Sequence, residues 1–103
     1  MFSICFIFSI DLPQVSRSSA YCLSFAYHMY GHHIDTLFVN KVSSNGWRSE
    51  MWSESGQKGN HWRFTRFEVR LNANDRITFT ARRGKAFSGD IGLDTITLKL
   101  GEC

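Results

Sequence analysis

From Cys22 onward, apolar and polar positions alternate with a period of two. Leu23, Phe25, Tyr27 and Met29 share one parity, Ser24, Ala26 and His28 the other, and Tyr30-Gly31 closes the run. Such alternation marks a half-buried β-strand, because successive side chains point to opposite faces. Thr36-Leu37-Phe38-Val39 forms a β-branched and aromatic second segment, ended by the turn residues Ser43-Ser44-Asn45-Gly46. Trp47 to Ser53 makes a third, followed by the loop Ser55-Gly56-Gln57-Lys58-Gly59-Asn60. A fourth covers Trp62 to Leu71 and is turned by Asn72-Ala73-Asn74-Asp75. Ile77, Phe79 and Ala81 alternate with threonines, Arg82-Arg83-Gly84-Lys85 begins a polar loop, and Ile91 to Leu100 completes six segments. No helical period interrupts them. The pattern predicts an all-β antiparallel sandwich.

Two segments change phase midway. In the fourth, Trp62 and Phe64 share one parity while Phe67, Val69 and Leu71 share the other. In the sixth, Ile91 and Leu93 give way to Ile96, Leu98 and Leu100. A one-residue shift turns an apolar set to the opposite face, so each predicts a β-bulge or bend. In the sixth, Gly92 and the Asp94-Thr95 pair are the expected places.

Composition narrows the class. A chain of 103 residues holds one domain at most, and 43% hydrophobic with 15% aromatic residues is enough for a core. A net charge of +3 is too modest to select nucleic acid as a partner, and none is expected. The run MFSICFIFSI is too short to span a bilayer. It has the look of a signal-peptide core, with Ser18-Ser19-Ala20 as a cleavage site. However, no Lys or Arg precedes it, and Asp11 ends it early. Residues 1–21 therefore read as an unmatched segment, either signal-like or an artefactual start.

Cys22 and Cys103 bracket the patterned sequence, and no CxxC pair is present. They are either free buried thiols of a reducing compartment or one long-range disulfide of an oxidising one.

Candidate chemistry is sparse. His28, His32 and His33 gather around Gly31, with His61 further on, but adjacent strand residues diverge and no metal site is expected. Asp90 and Asp94 flank Ile91-Gly92-Leu93, which offers calcium a charge-poor site; aspartates bonding their own backbone are the alternative. Neither Ser55 nor Ser88 lies in a nucleophile elbow, and Glu50, Glu54 and Glu68 are isolated, so no enzyme is expected. Trp47, Trp52, Trp62 and Phe64 have the makings of a stacking platform, although interior packing in a small sandwich accounts for them more simply. Arg66 and Arg70 should face away from Phe67, Val69 and Leu71. Together with Arg82, Arg83 and Lys85 they are a candidate basic patch for acidic proteins or sulfated glycans.

Several segments resemble a known family. Cys22-Leu-Ser-Phe25-Ala-Tyr27-His-Met29-Tyr30-Gly31 is similar to the central signature of the MAM domain of meprins, neuropilins and mu-type receptor tyrosine phosphatases. Trp52-Ser53-Glu54-Ser55-Gly56-Gln57-Lys58-Gly59 resembles its next segment, and Trp62 and then Phe67-Glu68-Val69-Arg70-Leu71 continue it. Gly89-Asp90-Ile91-Gly92-Leu93-Asp94-Thr95-Ile96, followed by Cys103, is the strongest match.

The resemblance implies a jelly-roll-like sandwich over residues 22–103, a partial domain whose N-terminal strands are missing, and pairing of Cys22 with Cys103. It implies an extracellular recognition or adhesion module of a cell-surface or secreted protein. Such a module acts by protein–protein contact, including homophilic contact, and meets a membrane only through the rest of its protein. Two alternatives stand beside it: a heparin-binding or other glycan-binding sandwich, and a non-catalytic accessory domain of a secreted metalloprotease.

Overall fold

The alternation from Tyr21 to Met29 survives intact in the computed structural model, where these odd-numbered side chains are all buried. The structure describes residues 2–4, 8–31, 34–56, 59–83 and 89–103. Eight strands are formed among them: β1 (Phe2–Ile4), β2 (Phe8–Asp11), β3 (Ser19–Gly31), β4 (Ile34–Val42), β5 (Arg48–Ser55), β6 (Arg63–Leu71), β7 (Arg76–Arg83) and β8 (Gly89–Leu100). They make two four-stranded sheets, the first ordered β1-β8-β3-β6 and the second β2-β7-β4-β5. Every pairing is antiparallel. All six segments expected from periodicity are present. β1 and β2 are additions, from the N-terminal run, where Phe2-Ser3-Ile4 and Phe8-Ser9-Ile10-Asp11 alternate over stretches shorter than the other segments.

The core lies between the sheets. Leu23, Phe25, Met29, Leu71 and Leu93 of the first sheet meet Leu37, Val39, Ile77 and Phe79 of the second. Phe25 stands at the centre, with edge-to-face contacts to Phe79 and Trp52 at centroid distances of 5.1 Å each. Such pairs add about 0.5–1.5 kcal/mol to the burial of their area.

The turns follow their sequence signals. In the β4–β5 hairpin the Gly46 amide donates to the Ser43 carbonyl at 2.8 Å, and Ser43 Oγ to Asn45 Oδ1 at 2.6 Å. Gly46 holds φ 88°, a left-handed conformation that glycine adopts without a steric penalty. Between β6 and β7, buried Asp75 closes the turn by accepting the Asn72 amide at 2.8 Å. The segment before β3 is tied to the same turn, since Asn74 N–H donates to the Val15 carbonyl and Val15 N–H to the Asp75 carbonyl.

The two predicted phase changes resolve differently. In β8 the register against β3 slips between Ser24 and Ala26, opposite Thr97 and Asp94. Thr95 takes φ 53° there, so the bulge forms at the expected pair. β6 has no bulge: it runs in unbroken register with β3 from Leu71 opposite Ser19 to Arg63 opposite Tyr27. Its phase change is instead a change of exposure, with Phe64 on the solvent face.

Candidate functional site

The even-numbered residues of β3 form the middle of the first sheet's outer face. Register places Ser24 between Arg66 and Thr97, and Ala26 between Phe64 and Asp94. The Ser24 and Thr97 hydroxyls are hydrogen bonded across this face. Ala26 is small, and Gly92, opposite His28, has no side chain, so the larger neighbours stand proud of the surface.

Those neighbours are aromatic. The His28 ring lies 5.3 Å from Trp62 and 6.1 Å from Tyr30, centroid to centroid. His28 Nε2–H donates to Asn60 Oδ1 at 3.2 Å, which fixes the ring against the loop before β6. Phe64 is 64% exposed, Tyr30 46% and Trp62 40%. Interior packing therefore does not account for Trp62 and Phe64, nor for Trp47, which is 74% exposed in the β4–β5 hairpin. Of the four residues expected inside, only Trp52 packs against the core. The missed signal was parity: Trp62 and Phe64 share it with Arg66, Glu68 and Arg70, the charged face of their strand.

The candidate basic patch is divided by the topology. Arg66 and Arg70 are exposed on β6 of the first sheet. Arg82 is on β7 of the second, exposed on the opposite side of the sandwich, with its guanidinium 5.7 Å from the Phe38 ring centroid. The backbone of Arg83 pairs with Ile34 in the second sheet too, and Lys85 lies outside the described residues. Parity predicted which way Arg66 and Arg70 face, but strand order places Arg82 on a different surface.

Among the described residues, no three His, Cys, Asp or Glu side chains converge on a point. His32 and His33 lie outside the described residues. Asp94 Oδ1 accepts the amide of Thr95 at 2.8 Å, so this carboxylate serves the backbone of the bulge.

At the other end of the same face, Cys22 and Cys103 form a disulfide with their Cα atoms 4.9 Å apart. It spans 81 positions, a closure that constrains the unfolded chain by about 4–5 kcal/mol on the loop-entropy model. Such bonds persist in oxidising compartments.

A family profile described as MAM domain, meprin/A5/mu, matches residues 7–103. The chain belongs to the MAM family. It is 41% identical over 85 residues to human MAM domain-containing glycosylphosphatidylinositol anchor protein 1, an alignment covering 81% of this chain and 9% of that protein. It is 34% identical over 93 residues to mouse MAM domain-containing glycosylphosphatidylinositol anchor protein 2, covering 88% and 10%. Human nephronectin is 32% identical over 96 residues, covering 91% and 16%. The chain thus spans only a small part of the length of these relatives. It is an extracellular MAM sandwich.

Proposed function

We propose that this MAM domain is a recognition module that works by direct contact with another protein, using the outer face of the first sheet. The observation that carries this reading is the exposed group of Trp62, Phe64, Tyr30 and His28 beside Arg66. Aromatic residues and arginine are the types enriched at interface cores and hot spots: the rings bury large areas at low entropic cost, and the planar guanidinium stacks and hydrogen-bonds. A cluster of this kind on a soluble surface marks an interaction site more often than chance exposure. The extracellular setting of the family and the names of its anchored relatives fit a partner outside the cell.

The test is binding of the labelled, oxidised chain to cell surfaces. Binding abolished by prior trypsin treatment of the cells, spared by heparinase, and weakened about tenfold by W62A/F64A is the expected result. Loss on heparinase treatment would replace the protein partner with a sulfated glycan. Equal binding by W62A/F64A would remove this face from the reading.

A further inference from the structure

The exposed rings around His28 do not make a flat platform. The plane of Trp62 is inclined 45° to that of His28, and the plane of Tyr30 59°. Rings set at such angles stand as ridges with notches between them. Asn60 Oδ1 restrains the His28 ring, and with it the notch on either side. The row runs from Phe64, level with Ala26, through Trp62 and His28 to Tyr30. Ala26 and Tyr30 are separated by about 13 Å of extended strand on β3.

Hydrogen bonding on this face is one-sided. The Trp62 indole and the Arg66 guanidinium only donate, and the Tyr30 hydroxyl has a proton to donate. Among the described residues, none of these three side chains has a hydrogen-bond or ion-pair partner. The acceptors described beside the row are already engaged: Asn60 Oδ1 by His28, Asp94 Oδ1 by the Thr95 amide, and the Ser24 and Thr97 hydroxyls by each other. Glu68, the next acid on β6, stands beyond Arg66 and opposite Cys22. A ligand suited to this face brings apolar rings and carbonyl oxygens, and few N–H or O–H groups of its own.

Sugars and ordinary peptides do not meet that requirement, because their hydroxyls and amides need acceptors as well as donors. A proline-rich chain does. Each proline removes an amide N–H and supplies a compact apolar ring, and the polyproline II helix leaves its carbonyls open to solvent. Three residues per turn at about 3.1 Å each give a repeat of about 9 Å, which fits within the aromatic row. Aromatic-lined grooves suit such helices generally, since a stiff ligand has little conformational entropy to lose.

We infer that the occupant of this face is a proline-rich segment of a partner protein, bound in the polyproline II conformation. Its rings enter the notches beside Trp62 and Tyr30, and its carbonyls meet the Trp62, Tyr30 and Arg66 donors. The inference rests on the protein-contact reading above and names the chemistry of the partner.

Titration of the isotope-labelled, oxidised chain with decaproline, followed by amide and indole NMR shifts, tests it. Saturable shifts are expected at the Trp62 indole N–H and at the His28 and Tyr30 amides, with the Trp47 indole unmoved. Trp62→Ala should weaken binding about tenfold or more, Tyr30→Phe roughly threefold, and Trp47→Ala not at all. A glycine-serine peptide of equal length should give no saturable shift. Circular dichroism of each variant confirms the fold. The absence of saturable shifts, equal shifts with the glycine-serine peptide, or full-strength binding by Trp62→Ala would overturn the inference. A chain that ignores decaproline, yet loses its trypsin-sensitive cell binding in W62A/F64A, would leave the protein-contact reading standing without it.

Discussion

The carboxylate of Asp94 holds the amide of Thr95 at 2.8 Å, and Thr95 is one of two non-glycine residues with positive φ among those described. The side chain thereby supports a backbone conformation that a β-branched residue seldom adopts. The bulge it sustains brings Ile96 and Leu98 back onto the core.

Replacing Asp94 by Ala should therefore cost about 1–2 kcal/mol, the loss of a charge-assisted hydrogen bond at a strained position. Thr95→Gly should move the other way by about 0.5–1 kcal/mol, since glycine carries no left-handed penalty. Urea unfolding of the two variants, with opposite shifts in midpoint, checks the assignment.

Reduction of the Cys22–Cys103 bond should lower stability by about 2–5 kcal/mol, and the melting temperature by on the order of 10–30 °C for a domain of this size. Calorimetry with and without reductant measures it. The Cys22→Ala/Cys103→Ala chain should melt with the reduced protein and be indifferent to reductant.

Asp75 is 2% exposed and its Oδ2 satisfies the Asn72 amide. Asp75→Ala leaves that amide without its acceptor and should destabilise by about 1–3 kcal/mol. Asp75→Asn keeps a carbonyl oxygen and should cost less. Hydrogen exchange at Asn72 and Val15 should report the opening of this turn before global unfolding.

Two phenylalanines should separate core from surface. Phe25 is fully buried against Phe79 and Trp52, so Phe25→Ala should cost about 3–5 kcal/mol. Phe64→Ala should change stability by no more than about 0.5 kcal/mol, as for an ordinary surface position. Equal losses at the two sites in thermal melts would contradict the exposure of the aromatic face.

Much of the sandwich was legible because period-two alternation and turn residues are local signals. Leu23 to Met29, Ile77 to Ala81 and the Ser43–Gly46 turn announce themselves in short windows, and the phase change around Asp94-Thr95 located its bulge. The same rule failed in β6, because it assumes that large aromatics point inward. Trp62 and Phe64 lie on the charged parity of their strand, and that context outweighs their hydrophobicity. The run holding β1 and β2 alternates only over Phe2-Ser3-Ile4 and Phe8-Ser9-Ile10-Asp11, stretches too short to stand out from a signal-like apolar run. The division of Arg66 and Arg70 from Arg82 depends on strand order, which no local window contains. The candidate interaction face was hidden for both reasons: it needs exposed aromatics, and it joins β3 to β6 across a distance of more than thirty positions in sequence.

The disulfide also decides how the domain carries tension. A pull entering at Cys103 passes through a covalent bond into Cys22 on β3, an interior strand of its sheet. With the bond closed, β8 is shielded from being peeled off one ladder rung at a time. Once the bond is reduced, those rungs bear the load in sequence, a difference that single-molecule stretching with and without reductant would register as a drop in rupture force.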